Sequence, residues 1–286
     1  MTDTRTIDLH THSTASDGTL TPTELVQAAV DAGLAAFALT DHDTVDGITE
    51  AKKAAEGKIE LIPGVELSTN YNGTEVHMVG LFIDETNTAL RKRLQEFRDN
   101  RDNRNQKMYQ KLREEGFDIS EELLRERFPD AVLTRAHVAR FLMEHGYIRS
   151  IKDAFDTYIG DGCRCYVARD KILPEEAISL IHQAGGVAVL AHPILYHMGQ
   201  DALCGLISCC KKAGLDGIEA VYSTYSTGDE RLIRQLATRY SLKLSGGSDF
   251  HGSNKPDIKI GCGCGRLSVP YAFLENLRQP QPADIS

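Results

Sequence analysis

The sequence predicts an α/β fold: a mostly parallel sheet, closed or nearly closed into a barrel with helices outside, and an inserted, mainly helical segment. Three features carry this. Apolar runs of strand length alternate with helical patterns through residue 83 and again from residue 166, and the rhythm gives way to helical spacing between residues 84 and 165. The 286 residues, 41% hydrophobic and 26% charged, supply a core of barrel size with an ordinary globular composition.

Residues 6–9 read as the first strand. Thr21, Pro22 and Glu24 then form a capping box with proline in the first turn, and Gly33 closes the helix they start. The apolar run 35–39 is the second strand, 46–56 a helix, 59–62 the third strand and 76–82 the fourth. After the insertion come a helix over 174–184, strands over 187–191 and 217–221, a helix over 229–240 and a strand over 242–244, seven strands in all. Residues 1–83 and 166–286 thus make the barrel, and 84–165 an inserted helical cap. In the cap Leu90, Leu94, Phe97, Met108 and Leu112 fall on helical spacing. Arg91, Arg93, Arg98, Arg101, Arg104 and Lys107 cover other faces among Glu96, Asp99 and Asp102, which reads as a solvated helix rather than a nucleic-acid strip.

Several classes of function are disfavoured at once. No signal-peptide pattern opens the chain and nowhere do eighteen apolar residues run together, so a cytoplasmic protein without membrane contact is expected. A net charge of -9 argues against bulk duplex binding, while a local basic pocket for a short nucleic acid stays open. Seven cysteines with no Cys-x-x-Cys read as reduced thiols, and the pairs Cys163/Cys165 and Cys262/Cys264 as incidental rather than zinc-binding.

The polar residues that interrupt these strands carry the chemistry. His10 and His12 follow the first strand, their alternation placing both imidazoles on one side of an extended backbone, and Asp17 sits in the next loop. Asp41-His42-Asp43 ends the second strand, Glu66 follows the third across Pro63-Gly64, and His77 lies on the fourth; His192 caps the fifth, and Asp249 and His251 follow the last. Singly, such residues are turns, helix caps or hydrogen-bonded core histidines. Together they deliver nine candidate ligands to the C-terminal rim of a barrel, where divalent cations would offset the cost of burying them. Imidazole and carboxylate without thiolate suit manganese, iron or zinc, and nine ligands exceed what one ion takes. Glu66 is a natural bridging carboxylate.

His10-Thr11-His12, Asp17-Gly18, Thr40-Asp41-His42-Asp43, Pro63-Gly64-Val65-Glu66, Ala191-His192-Pro193 and Gly247-Ser248-Asp249-Phe250-His251, in this order, resemble the PHP (polymerase and histidinol phosphatase) family, from residue 7 to about residue 252. Thr134-Arg135-Ala136-His137 before Ala139-Arg140-Phe141 is most similar to its nucleoside 3',5'-bisphosphate phosphatase and 5'-3' exoribonuclease subgroup. The resemblance implies a distorted seven-stranded barrel and two or three ions, manganese first, held by His10, His12, Asp17, His42, Glu66, His77, His192, Asp249 and His251. It also implies that Arg135 and His137 grip the substrate's phosphate. The sequence adds its own hint: Thr134 reads as an N-cap, so both basic residues fall in a first helical turn beside free backbone N–H groups, an anion site. Where close relatives place glycine and arginine after the His-Pro pair, Ile194 and Leu195 stand here, and Arg164, Arg169 or His197 are the candidate substitutes.

The activity so implied is metal-dependent hydrolysis of a nucleotide phosphate ester, a 3',5'-bisphosphate to the 5'-monophosphate or short RNA from its 5' end, with Asp17, His251 and His197 as candidates for proton transfer. Histidinol phosphate, another small phosphomonoester or a cyclic phosphodiester is the alternative substrate. A non-catalytic metal- and nucleotide-binding module and a metal-dependent deaminase or amidase are the competing classes.

Overall fold

The computed structural model describes residues 4–129, 133–168 and 172–279. Eight strands form one sheet: β1 (Thr6–Asp8), β2 (Ala36–Leu39), β3 (Glu60–Tyr71), β4 (Thr74–Leu81), β5 (Val187–Leu190), β6 (Gly217–Tyr222), β7 (Lys243–Gly247) and β8 (Val269–Pro270). Their order is β7-β6-β5-β4-β3-β2-β1-β8. Beyond β7 the chain returns to β1, where Leu9 N–H donates to Gly246 O at 3.2 Å and His12 N–H to Phe250 O at 2.9 Å, so the sheet nearly closes. The ten helices among the described residues are α1 (Pro22–Asp31), α2 (Ile48–Ala55), α3 (Thr88–Glu114), α4 (Glu121–Arg127), α5 (Arg135–Glu144), α6 (Ile151–Ala154), α7 (Pro174–Gln183), α8 (Gln200–Lys212), α9 (Thr227–Arg239) and α10 (Tyr271–Arg278). None is long and apolar enough to cross a membrane.

The period of two along the strands separates two cores. On β2, Phe37 and Leu39 pack with the surrounding helices, while the small Ala36 and Ala38 face an inner cluster with Ile7, Val79 and Val189. Helix α10 covers the N-terminal end of that inner cluster: Tyr271 N–H donates to Arg5 O at 3.0 Å, and Leu274 and Leu277 are fully buried, worth roughly 2 kcal/mol each. The opposite, C-terminal rim is left for the site. Capping also follows the sequence, since the Thr21 N–H donates to Glu24 Oε2 at 2.8 Å and the Glu24 N–H to Thr21 Oγ1 at 3.2 Å.

Helix α3 belongs to both halves of the molecule. Leu90, Leu94 and Phe97 pack on the barrel's helical layer, and Met108, Tyr109 and Leu112 join a third cluster with Leu124, Val138, Phe141 and Ile159.

Three expectations change. The third strand does not stop before Pro63-Gly64 but runs to Tyr71, so Glu66 lies within it. Pro63 ends the parallel pairing with β2, and Gly64 opens the antiparallel pairing with β4, so a missing N–H falls where the strand changes partner. A Cβ on Gly64 would stand 2.8 Å from Gly80 O. The β3–β4 hairpin turns on Asn72 and Gly73, both at positive φ (50° and 88°), the turn chemistry that an Asn-Gly pair supplies. Three of the seven strand pairings are therefore antiparallel. The sheet has eight strands rather than seven, the eighth being the two-residue β8, and helix α10 follows it directly.

Candidate metal centre

All nine predicted ligand residues meet at the C-terminal rim. Glu66, fully buried in β3, is the hub. Its Oε2 lies 3.2 Å from His10 Nε2, 3.3 Å from His12 Nε2 and 3.0 Å from His42 Nδ1; its Oε1 lies 2.8 Å from His77 Nδ1 and 3.1 Å from His192 Nε2. Asp17 Oδ1 is 3.2 Å from His251 Nε2 and 3.9 Å from His42 Nε2. Asp249 Oδ1 is 3.2 Å from His12 Nε2 and 3.3 Å from His251 Nδ1. Three overlapping groups have the spacing to hold an ion: His12, Asp17, His42 and His251; His10, His12 and Glu66; and His42, Glu66 and His77. Both His192 (φ 25°) and Asp249 (φ 55°) turn through the left-handed region, strain of the kind that site geometry sustains.

Divalent cations fit these donors. His10 Nε2, both nitrogens of His12, Asp17 Oδ1, His42 Nδ1, Glu66 Oε2 and His192 Nδ1 are buried without a hydrogen-bond partner, an arrangement that costs about 1–3 kcal/mol per atom unless another group satisfies it. The electrostatics ask for positive charge. Burial works against a charged His12 and His77, yet Asp249 and Glu66 beside the first, and Glu66 and Glu75 beside the second, lift them to about 9 and about 10. At His42 burial wins and holds the ring down to about 3. Burial opposes the charge on Glu66 as well, but the surrounding imidazoles keep it well below the usual carboxylate range.

A second layer orients these donors, and the sequence reading missed it. Glu219 Oε1 pairs with His10 Nδ1 at 2.9 Å, which turns Nε2 towards Glu66, while Glu219 Oε2 accepts the His192 N–H at 2.7 Å. Its one signal is a lone charge inside the apolar run Gly217–Tyr222. Asp41 is occupied by the Ser13 and Ser16 hydroxyls at 2.7 and 2.6 Å, and Asp249 Oδ2 accepts from Tyr222 Oη and Lys255 Nζ, each at 2.6 Å.

A cavity of about 350 Å³ opens beside the cluster, with Asp17, His42, His77 and His192 on one wall and Arg101, Arg104 and Arg135 on others. Arg135 reaches Glu75 Oε2 at 3.1 Å and Asp161 Oδ1 at 2.8 Å, and Glu75 Oε1 in turn meets His77 Nε2 at 3.3 Å. The solvated reading of α3 is corrected for two of its arginines: Arg101 and Arg104 are 3% and 9% exposed. They occupy the helix's buried stripe, Leu90, Leu94, Phe97, Arg101, Arg104, Met108 and Leu112, and a cation at two stripe positions was the signal available.

A model of the PHP domain family matches residues 8–258. The chain belongs to the PHP family. A 5'-3' exoribonuclease of Haemophilus influenzae is 40% identical over 249 residues, covering 87% of this chain and 90% of that one. The 3',5'-nucleoside bisphosphate phosphatase of Chromobacterium violaceum is 36% identical over 257 residues, 89% of this chain and 90% of its own length. Among solved structures, a protein of Bifidobacterium adolescentis described as a metal-dependent phosphoesterase superposes with a TM-score of 0.85 at 26% identity, over 97% of this chain and 96% of the other.

Around this PHP centre the remaining predicted residues divide. Arg135 faces the cavity beside the cluster; His137 lines a separate one with Arg140 and Phe128. His137 is no cation here: burial holds it down to about 4, and its Nδ1 accepts the Thr134 N–H at 3.1 Å, so the ring caps helix α5. His197 is exposed in a left-handed turn and does not line the cavity. Leu195 does line it, whereas Ile194 gives its N–H to Tyr225 Oη at 3.2 Å. Arg164 pairs with Glu115 at 2.9 Å on the exposed surface, and Arg169 lies outside the described residues. All seven cysteines are free thiols and none belongs to the three ion-holding groups.

Proposed function

We propose that this PHP chain is a metal-dependent phosphoesterase that hydrolyses a 3',5'-nucleoside bisphosphate to the 5'-monophosphate, or short RNA from its 5' end. The observation that carries the reading is the convergence of nine imidazole and carboxylate side chains, several with unpartnered buried donor atoms, beside a cavity lined by four of them and by three arginines. The names of the two close relatives support the substrate class. His10, His12, Asp17, His42, Glu66, His77, His192, Asp249 and His251 hold two or three divalent ions, manganese first, with iron or zinc as the alternatives. Bound divalent cations lower the pKa of water towards ~7 and withdraw charge from phosphoryl oxygens.

The chain's own groups do the rest. Arg135 exchanges its contacts with Glu75 and Asp161 for the substrate's phosphate, a charge-assisted bond on a planar, always-charged fork. Asp17 and His251, 3.2 Å apart at the edge of the cluster, are placed to relay the proton given up by the attacking water to the departing alkoxide, a role for which His197 is badly placed. Residues 84–165 act as a cap whose helices close the cavity over the barrel rim, with residues 1–83 and 166–286 as the barrel.

Elemental analysis of purified protein, together with phosphate release from adenosine 3',5'-bisphosphate and from histidinol phosphate, tests this. Two or three ions per chain, and preferential release from the nucleotide to leave adenosine 5'-monophosphate, are expected. Equal, weak rates on both would point to another phosphate ester, and metal-loaded protein that binds nucleotide without releasing phosphate would favour a non-catalytic module.

A further inference from the structure

We infer that Asn254 is a positioning residue that joins the cap to the metal centre: its amide ties the helix carrying Arg135 to the backbone of Asp17, so that metal binding at Asp17 and the placement of Arg135 depend on each other. This deepens the phosphoesterase reading and rests on it for the role of Arg135. Asn254 ends the short 3-10 turn Gly252–Asn254, which follows His251 directly. Its Nδ2 donates to Asp17 O at 2.7 Å, and its Oδ1 accepts from Arg140 Nη1 at 3.0 Å. Arg140 stands in helix α5, of which Arg135 is the first residue. Its Nε donates to Glu144 Oε1 at 2.8 Å, which holds the guanidinium on its own helix and leaves Nη1 for Asn254.

Among the described residues, the side chains of α5 hydrogen-bond to the barrel at two places, Arg135 to Glu75 Oε2 at 3.1 Å and Arg140 to Asn254. Beside the second, the cap and the Asp17 loop face each other across a cavity of about 580 Å³ lined by Thr14, Gly18, Thr19, Phe128 and His137 among others. A polar bridge at the edge of that cavity, rather than close apolar packing, therefore sets the spacing there. On the barrel side the joint is firm. Ser253 N–H donates to Thr19 Oγ1 at 2.9 Å, and a Cβ on Gly252 would collide with that oxygen, so the turn and the Asp17 loop are held as one piece. Asp17 Oδ1 is buried without a hydrogen-bond partner, so its position 3.2 Å from His251 Nε2 is set through the backbone whose carbonyl Asn254 grips. A contiguous chain of bonds thus runs from a metal ligand to the helix that presents the phosphate-gripping arginine.

The test uses the full chain and the variants Asn254→Ala, Asn254→Asp and Arg140→Ala, with thermal melting verifying that each folds and elemental analysis that each takes up manganese. Aspartate keeps an acceptor for Arg140 and loses the donor to Asp17 O. Hydrogen exchange of residues 135–144 is read in manganese and in chelator, and kcat and KM are read on adenosine 3',5'-bisphosphate. We expect manganese to slow exchange in the native helix by about 5–10-fold, the worth of one hydrogen bond, and to lose that effect in all three variants. Loss in the aspartate variant, whose bond to Arg140 survives, assigns the coupling to the Asp17 contact. Arg140→Ala, which loosens the phosphate grip, should raise KM by a similar factor with little change in kcat. Variants that speed exchange by the same factor in manganese and in chelator show a merely structural tie and overturn the inference, as does a native helix indifferent to bound manganese. A native chain that shows the coupling but releases no phosphate leaves the joint at Asn254 standing and overturns the phosphoesterase reading instead.

Discussion

Replacing Glu66 by glutamine removes one charge and keeps the volume at the point where five imidazoles meet, and Glu66 belongs to two of the three ion-holding groups. An ion that binds only the folded protein, supplied at one hundred times its dissociation constant, adds about 2.7 kcal/mol of stability. Three filled sites therefore add roughly 8 kcal/mol. For a chain of 286 residues the unfolding entropy is about 600 cal/mol/K, so each ion raises the midpoint by about 4–5 °C and the full set by about 13 °C. Glu66→Gln leaves intact only the group of His12, Asp17, His42 and His251, and the rise should shrink to about 4–5 °C. Scanning calorimetry of both proteins in manganese and in chelator reads this directly. A variant that keeps the full native shift refutes Glu66 as a shared ligand, and a native protein whose midpoint ignores manganese refutes the cluster as a cation site.

Glu219→Gln should lower metal affinity about 10–100-fold without removing a donor, because it loosens the His10 ring that Glu219 holds, and chelator competition measures it. Stability in chelator should fall on acidification because of His137: its folded pKa of about 4 lies below the unfolded value near 6.5, so stability present above pH ~6.5 is lost as the pH drops towards 4. About 2 kcal/mol of this is lost between pH 7 and pH 5, and His137→Gln, which retains a capping side chain, should reduce that loss in urea titrations at the two pH values. Gly247→Ala would set a Cβ 2.4 Å from the Cβ of His10 and 2.5 Å from its backbone nitrogen. It should cost about 1–3 kcal/mol and lower bound metal per chain by elemental analysis, whereas an unchanged metal content would show that His10 tolerates displacement.

Much of the site is legible in the sequence because its ligands are errors by the rules of a core: titratable residues at or beyond the ends of apolar strands, such as His10, His12, His192 and Asp249, have no structural reason to be there. Glu66 was legible as a ligand although its place within a long strand was not, since Pro63-Gly64 signals a strand end and only the sheet order shows a change of partner. The β3–β4 hairpin rests on Asn72-Gly73, a turn signal that stands in the sequence between the expected third and fourth strands. Glu219 acts on His10, 209 positions away in sequence, a pairing that one chain's pattern does not encode. Arg101 and Arg104 sit in an arginine-rich run that also holds exposed arginines, and burial alone separates them from their neighbours.

Anomalous diffraction from crystals grown with manganese tests the central claim most directly. The account predicts two or three peaks among His10, His12, Asp17, His42, Glu66, His77, His192, Asp249 and His251, each within about 2.0–2.3 Å of several of their nitrogen and oxygen atoms. A map with no peak among these nine residues, with their side chains still paired only with one another, would contradict it.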